Sequence, residues 1–174
     1  NPEIIKVLAD IGMGVDCSSL AELAIAEMCG LSGEDIMFSS NNTLDEEFAY
    51  AAKLGAIINF DDVTLVRRYI QTIGAPAVAS CRYNPGDIEF GGLNESIIGS
   101  PREAKYGMPL DDMLASYQAL KEAGVTKFGI HTMLLSSELD WHHHEVIARA
   151  LFAAVKQIAR EVGITFSFIN LGGG

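Results

Sequence analysis

The chain contains 174 residues, 49% of them hydrophobic, so it can bury one sizeable core but is too short for two ordinary domains. Its 12 lysine and arginine residues against 23 aspartate and glutamate residues give a net charge of -11, which would repel nucleic acids and anionic membrane surfaces. Three irregularly spaced cysteines form neither a disulfide framework nor a CxxC pair, and no apolar run approaches the roughly 20 residues that span a bilayer, so we expect a cytoplasmic protein.

Helical and strand patterns alternate along the chain. Apolar residues at helical spacing predict helices at 2–11, 20–29, 44–54, 63–73, 110–123 and 141–162. Short apolar runs predict strands at 14–19, 36–40, 56–60, 77–83, 127–135 and 164–171. Polar residues mark three predicted helix starts: Ser19 with Glu22, Thr43 with Glu46, and Asp61 or Asp62. Positions 84–106 lack this periodicity and predict a long functional loop.

Strands separated by helices predict right-handed βαβ units, a parallel sheet and an α/β fold. Two architectures fit this pattern. A doubly wound sheet could be complete with six strands, whereas a (β/α)8 barrel of the TIM type would need two more. Because the chain opens with a helix, we expect a barrel fragment with about six strands, one further strand preceding Asn1 and another following Gly174.

In both architectures a ligand binds at the carboxyl ends of the strands. Arg82 closes an apolar strand, so its guanidinium requires a carboxylate or an anionic ligand unless it reaches water. His131 and Met133 alternate on the following strand and would share one face, where His131 either meets a ligand or bonds to a backbone carbonyl. Three consecutive histidines at 142–144 project about 100° apart on a helix and predict no metal site.

The chain ends on Asn-Leu-Gly-Gly-Gly. Gly172, Gly173 and Gly174 lack a Cβ, so their backbone N–H groups could converge on an anion, and a phosphate is the natural ligand for such a turn. The alternative is an ordinary turn, although a turn needs only one or two glycines.

Five segments follow one another in a recognisable order: GMGVDCSSLAEL (12–23), CRYNPG (81–86), AKYGMPL (104–110), GIHTMLLSSELD (129–140) and INLGGG (169–174). Together they resemble the pyridoxal-phosphate-dependent amino-acid decarboxylases of the alanine-racemase-like barrel type, and among these most nearly the diaminopimelate decarboxylases. The resemblance covers essentially the whole chain. Its most specific motif is the glycine-rich ending. The other segments are informative only together and in this order.

The resemblance implies pyridoxal 5'-phosphate as the cofactor, and it implies nine cofactor-binding residues: Asp16, Glu22, Arg82, His131, Met133, Ser136, Gly172, Gly173 and Gly174. The three glycines and Ser136 match the phosphate site. Asp16 and Glu22 match acidic residues near the lysine that carries the cofactor, and Arg82 matches an arginine under the cofactor.

The sequence departs from the family pattern at two of these positions. Many relatives have a histidine where Met133 stands, and its ring stacks on the pyridine ring of the cofactor. We expect Met133 to pack against that face and His131 to supply part of the lost contact. Leu135 stands where the family usually has a phosphate-loop glycine, and Lys105 is given no role.

The resemblance also implies that residues 1–174 are a partial pyridoxal-phosphate-binding barrel domain. We expect the first strand with its lysine to precede Asn1, and a mostly β domain and a second subunit of a homodimer to complete the active site. The implied activity is decarboxylation of a basic or diamino acid, most nearly meso-diaminopimelate to lysine in lysine biosynthesis. The alternatives are an amino-acid racemase on the same barrel, a decarboxylase of the carboxynorspermidine or ornithine type, and a noncatalytic cofactor-binding barrel.

Overall fold

The computed structural model describes residues 1–86 and 105–173. Within them helices and strands alternate as predicted. The helices are α1 (Pro2–Ala9), α2 (Leu20–Met28), α3 (Asp45–Lys53), α4 (Val63–Thr72), α5 (Leu110–Glu122) and α6 (Trp141–Ile158). The strands are β1 (Val15–Cys17), β2 (Ile36–Ser40), β3 (Ile57–Phe60), β4 (Ala79–Arg82), β5 (Phe128–His131) and β6 (Phe166–Asn170).

The six strands form one parallel sheet in which spatial order follows chain order, β1 to β6. A doubly wound sheet reverses its strand order at a switch point, and no such reversal occurs in this part of the chain. Sequential order is the order of a (β/α)8 barrel. The structure therefore confirms the prediction of a six-stranded barrel fragment.

The main core lies between the outer face of the sheet and the helices. An aromatic cluster of Phe38, Phe48, Phe60 and Tyr69 joins β2 and β3 to α3 and α4, with ring centroids 5.1–6.3 Å apart. On the opposite face of the sheet, a smaller cluster of Met37, Ile57, Val78 and Phe168 is also apolar. Along β2 and β3, polar residues follow these apolar ones toward the carboxyl ends, so the end of the sheet where a ligand was predicted is polar on this inner face.

The predicted helix starts are partly confirmed. The Ser19 hydroxyl accepts a hydrogen bond from the Glu22 backbone N–H at 3.4 Å, and Asp62 caps α4 through the Thr64 N–H at 2.7 Å. The capping box predicted at Thr43 and Glu46, in which each residue would bond to the backbone of the other, is displaced by one residue. The Leu44 N–H donates to the Glu47 carboxylate at 2.9 Å, while Thr43 donates its hydroxyl proton to the Ser40 carbonyl.

The largest differences from the predicted bounds are at the ends of β5 and α6. Strand β5 ends at His131 instead of continuing to 135, because its partner β6 ends at Asn170 and turns away at Gly172; the Thr132 N–H still donates to the Asn170 carbonyl, but the residues after it have no strand among the described residues to pair with. Met133 therefore lies beyond the strand and not on its face. Helix α6 ends at Ile158 and continues as a π-helical turn, Ala159–Gly163. Of the predicted loop at 84–106, positions 87–104 fall outside the described residues. Among the helices described, none combines the length and apolar character needed to cross a membrane.

Candidate functional site

A cavity of about 710 Å³ opens at the carboxyl ends of the strands. Six of the nine predicted cofactor-binding residues line it: Asp16, Arg82, His131, Met133, Gly172 and Gly173. Each comes from the end of a strand or from the turn that follows it, which is where a parallel α/β sheet presents its ligand site. The sheet thus collects residues that are up to 157 positions apart in the chain, from Asp16 to Gly173.

Arg82 meets a carboxylate, as its position in an apolar strand predicted. Its Nη1 lies 3.5 Å from Asp61 Oδ1, and both side chains are largely buried, with exposed fractions of 17% and 9%. Asp61 Oδ2 also accepts the Gly107 N–H at 3.2 Å. Burial raises the pKa of the Asp61 carboxyl, and the Gly107 hydrogen bond and the Arg82 charge oppose that rise.

The Arg82 side chain makes two further contacts that fix its position. Nη2 donates to the Met133 carbonyl at 3.2 Å, and the guanidinium lies over the Tyr106 ring, 4.8 Å from its centroid. A guanidinium held by a carboxylate, a carbonyl and an aromatic face has little conformational freedom. It presents a fixed positive charge to the cavity.

Asp16 brings a negative charge to the other side of the cavity, at the exposed end of β1. Desolvation by the surrounding protein raises the pKa of its carboxyl, whereas a hydrogen bond from Ser39 and the charge of Arg82 lower it. Asp16 and Arg82 are therefore electrostatically coupled across the cavity.

His131 is held inside the sheet by a polar partner that the sequence did not indicate. It is 3% exposed, as is Asn59, and its Nδ1 lies 3.0 Å from Asn59 Nδ2. The same amide nitrogen lies 3.1 Å from Ser39 Oγ. Burial, aided by the positive charge of Arg82, lowers the pKa of His131 to about 4, so the ring is neutral at physiological pH.

The glycine turn after β6 requires glycine for steric reasons. Gly172 and Gly173 have φ of +59° and +76°, a region that L-residues adopt only with strain. A Cβ at Gly172 would lie 2.5 Å from the Thr132 carbonyl oxygen, and one at Gly173 would lie 2.9 Å from that of Leu135. The Asn170 side chain accepts the Gly172 N–H at 2.8 Å and so shapes the turn. Gly174, the third predicted glycine, lies outside the described residues.

The remaining predicted site residues stand away from this cavity. The Glu22 carboxylate accepts the N–H and the hydroxyl of Ser18 at 2.6 and 2.9 Å, and so buttresses the turn between β1 and α2. Ser136 is exposed in the segment before α6, next to Leu135, whose carbonyl faces Gly173. Their predicted roles toward a cofactor stay predictions.

The wall of the cavity fits a polar, anionic ligand such as pyridoxal phosphate. The turn at Gly172 and Gly173 has no room for side chains, Arg82 supplies a fixed cation, and Asn59 Oδ1 is buried without a hydrogen-bond partner among the described residues. A buried, partnerless carbonyl oxygen in a ligand site is expected where a ligand or a water supplies the missing donor. Within residues 1–86 and 105–173, no cluster of histidine, cysteine and carboxylate side chains could hold a metal ion.

Sequence reasoning missed two residues of this site. Asn59 was read as part of an apolar strand, and Asp61 as a helix cap. A signal existed for Asn59, because it is the single amide in the run AIINF and stands at the polar end of a strand that is otherwise buried. For Asp61 the signal was weaker, because the sequence allowed either Asp61 or Asp62 to cap α4. In the structure Asp62 is the cap.

The whole chain, residues 1–174, matches the family model described as pyridoxal-dependent decarboxylase, pyridoxal binding domain. Among curated relatives, the chain is 34% identical over 173 residues to Protein TabA of Pseudomonas amygdali pv. tabaci, covering 99% of this chain and 40% of the relative. It is 33% identical over 177 residues to a diaminopimelate decarboxylase of Thermoplasma acidophilum, covering 100% and 42%. The chain thus spans about two fifths of the length of these relatives.

Solved structures give the same fold. The crystal structure of diaminopimelate decarboxylase from Helicobacter pylori complexed with L-lysine superposes with a TM-score of 0.82 at 26% identity, covering 100% of this chain and 45% of that one. Lysine decarboxylase from Selenomonas ruminantium gives a TM-score of 0.79 at 22% identity, covering 100% and 43%; at that identity the likeness concerns the fold alone. In both, the chain corresponds to less than half of the solved protein.

Proposed function

Because the chain belongs to the pyridoxal-binding domains of the pyridoxal-dependent decarboxylases, we propose that residues 1–174 are part of the barrel of a longer amino-acid decarboxylase, the parent protein. In that parent, the strand with the cofactor-bearing lysine precedes Asn1, and a mostly β domain follows the barrel. The coverage of about two fifths of its relatives supports a longer parent protein.

The observation that carries the proposal is the pairing, across one cavity, of a side-chain-free glycine turn with a fixed arginine. The turn at Gly172 and Gly173 packs too closely against Thr132 and Leu135 to carry side chains, so its backbone faces the cavity directly, and Arg82 is clamped by Asp61 on the adjoining wall. A ligand with a phosphate at one end and a polar ring at the other matches this arrangement.

Each residue has a proposed role toward the cofactor. The Gly173 amide and the Ser136 hydroxyl would hold the phosphate, because the Gly172 N–H already donates to the Asn170 side chain. Gly174 keeps the phosphate role that the resemblance implies. Arg82 would support the pyridine ring, Met133 would pack against it, and Asp16 and Glu22 would lie near the lysine. When bound, pyridoxal phosphate supplies the electron sink for the bond that breaks at the substrate α-carbon.

The chain's own residues orient the substrate and control protons near that carbon. A neutral His131 can donate or accept one hydrogen bond without adding charge. Asp16, whose pKa is raised by desolvation and lowered by Ser39 and Arg82, can move a proton at the exposed end of β1. Arg82 holds a fixed positive charge in the cavity wall and thereby disfavours a second positive charge nearby.

The proposed substrate is a basic or diamino acid, with meso-diaminopimelate converted to lysine in lysine biosynthesis as the leading candidate. The names of several relatives support it, because they are diaminopimelate decarboxylases, and one solved neighbour was crystallised with L-lysine. A homodimeric assembly and a cytoplasmic location complete the proposal.

The experiment is carbon dioxide release by the parent protein from carboxyl-labelled meso-diaminopimelate, lysine, ornithine and carboxynorspermidine. Release dependent on added pyridoxal phosphate and largest with meso-diaminopimelate is expected. Release mainly from another amino acid in the panel would mean that the proposed reaction is right and the proposed substrate is wrong. Inversion of the α-carbon without release, followed by chiral chromatography, would establish a racemase, and cofactor binding with neither reaction would establish a noncatalytic barrel.

A further inference from the structure

We propose that Asn59 is a positioning residue for the cofactor site: it orients the neutral His131 ring so that the Nε2–H group faces the Gly172 turn and donates a hydrogen bond to the phosphate held there. The inference rests on the proposed function, since it requires a phosphate at the glycine turn. It gives a role to a side chain that neither the sequence motifs nor the glycine turn includes.

The geometry begins with three strands that place polar side chains on one face of the sheet. Ser39 of β2 and Asn59 of β3 are register partners, and His131 reaches them from β5. Asn59 Nδ2 lies 3.1 Å from Ser39 Oγ and 3.0 Å from His131 Nδ1. Asn59 and His131 are each only 3% exposed, so water competes little with these contacts.

The orientation of the Asn59 amide follows from its unpartnered atom. As placed, the two protons of Nδ2 have two acceptors, and only Oδ1 is left without a partner among the described residues. If the amide were reversed, Oδ1 would face His131 and Ser39, and the buried partnerless position would hold an NH2 group with two unsatisfied donors. A buried carbonyl without a partner is less costly than buried N–H groups without one.

The His131 tautomer then follows from the amide. An amide NH2 can only donate, so His131 Nδ1 must accept, and in a neutral imidazole the proton is then on Nε2. A protonated ring would place an Nδ1–H against the amide N–H, two donors 3.0 Å apart with no acceptor between them. The charged groups that face the ring from neighbouring elements are Arg82 on β4, with Asp61 beyond it, and a nearby arginine also disfavours a second cation.

The free end of the ring points to the glycine turn. A Cβ built on Gly172 would come within 3.1 Å of His131 Nε2, so the Nε2–H group lies against the Gly172 turn, and both residues line the cavity. Arg82 cannot easily serve as the direct phosphate donor, because it is held by Asp61 and the Met133 carbonyl. His131 therefore adds a directed, uncharged donor where the turn has few free amides.

The first test is the tautomer of His131 in the parent protein, read by ¹⁵N NMR of histidine-labelled material without cofactor. The ¹⁵N signal that is missing from the spectrum of His131→Gln is assigned to His131. We expect the Nε2–H tautomer at pH 7, and Asn59→Asp should move the proton to Nδ1, since a carboxylate accepts from that nitrogen. A wild-type His131 that carries its proton on Nδ1, or that is charged at pH 7, would overturn the inference.

The second test compares binding of pyridoxal phosphate with binding of pyridoxal, which lacks the phosphate. Asn59→Asp and His131→Asn should weaken pyridoxal phosphate about ten- to hundredfold, the range for one hydrogen bond to a charged group, and leave pyridoxal within about threefold. His131→Gln should retain most of the affinity, because the glutamine amide places a donor at the Nε2 position. Ser116→Ala is the control: this buried serine of α5 contacts Met108 Sδ at 3.3 Å, outside the cavity lining, and its loss should leave pyridoxal phosphate binding within about threefold of wild type.

These outcomes separate this inference from the proposed function. Asn59→Asp could weaken pyridoxal phosphate but not pyridoxal in a parent protein that releases no carbon dioxide. That result would uphold the positioning role and overturn the decarboxylase. Equal losses for pyridoxal phosphate and pyridoxal, or no loss in either variant, would overturn the positioning role even if the parent is an active decarboxylase. A wild-type parent that binds no pyridoxal phosphate would overturn both.

Discussion

The Arg82 guanidinium lies 3.5 Å from the Asp61 carboxylate, and this pair connects four segments at the rim of the cavity. Asp61 accepts a hydrogen bond from the Gly107 N–H, and Arg82 donates one to the Met133 carbonyl. The segment after β4 also pairs in parallel with Met108, through the Arg82 carbonyl and the Met108 N–H at 2.8 Å. The ion pair therefore holds together the ends of β3 and β4 and the two segments that form the cavity wall.

Asp61→Asn should lower the free energy of unfolding by about 3 kcal/mol, because it leaves the largely buried Arg82 without its counter-charge. The amide can still accept from Gly107, so the loss reports the charge more than the hydrogen bond. Urea unfolding of the parent protein, with m-values compared to confirm the same transition, measures it.

The control for this change is Asp62→Asn, the same substitution at the next residue. Asp62 caps α4 through the Thr64 N–H, and asparagine caps as well as aspartate does, so the expected change is below about 0.5 kcal/mol. Equal effects at the two positions would show that the buried pair contributes nothing beyond an ordinary surface charge.

Gly172→Ala should destabilise the parent protein by about 3 kcal/mol and weaken pyridoxal phosphate binding at least about tenfold. Alanine at φ +59° is strained, and its Cβ would meet the Thr132 carbonyl oxygen at 2.5 Å. The turn would have to move away from the cavity. Unfolding by urea and cofactor titration by fluorescence measure the two effects.

Gly30→Ala separates backbone strain from the steric clash. Gly30 has φ +83° and nothing within 4 Å of its Cβ position, so alanine there should cost about 1 kcal/mol and leave cofactor affinity unchanged. If Gly172→Ala behaves in the same way as Gly30→Ala, the close approach of the turn to Thr132 does not matter for binding.

The general plan of this fold could be read from local patterns in the sequence. The alternation of apolar runs with helical periodicity predicts six parallel strands, and the opening helix favours a barrel over a doubly wound sheet, as the strand order confirms. Asp16, Arg82, His131 and the glycines were found because each stands at a strand end or breaks a pattern within a few residues. Such signals depend only on neighbouring residues, so they can be read without knowledge of the tertiary contacts.

The partners of these residues could not be predicted in the same way. Asn59 and His131 are 72 positions apart, and Asp61 and Gly107 are 46 apart, so their meeting depends on strand register and not on any spacing in the chain. The helix start at Leu44 shows the same limit on a smaller scale, because Thr43 and Glu46 have the spacing of a capping box but Glu47 has the geometry. The end of β5 was misplaced because TMLL continues the apolar run, whereas the strand actually ends where its partner β6 ends and turns at Gly172.

Gly129→Ala should destabilise the parent protein by about 2 kcal/mol, the cost of overpacking a filled interior. Gly129 lies in β5, and a Cβ there would come within 2.0 Å of the Phe168 ring, which crosses it from β6. Combining it with Phe168→Leu should recover about 1 kcal/mol or more relative to the sum of the single changes, as expected for residues in contact. Strict additivity in this double-mutant cycle would show that the ring does not lie over Gly129.

The buried His131 should make the parent protein less stable as the pH falls. Its pKa is lowered to about 4 in the folded state from an ordinary value of 6.5, chiefly by burial and secondly by the charge of Arg82. Between these two values the unfolded chain binds a proton that the folded chain does not, so the free energy of unfolding rises with pH across that window. The loss on going from pH 7 to pH 4 should be about 3 kcal/mol for this residue.

The test is the difference in unfolding free energy between wild type and His131→Gln, measured in urea at intervals from pH 7 to pH 4. Asp16 and Asp61, whose pKa values burial raises, act with the opposite sign and favour folding as the pH falls, but they are common to both proteins and cancel in the difference. The difference should therefore shift by about 3 kcal/mol in favour of the variant as the pH falls. A difference that stays constant with pH would mean that His131 accepts a proton in the folded protein as readily as in the unfolded chain, which its position between Asn59 and the Gly172 turn does not allow.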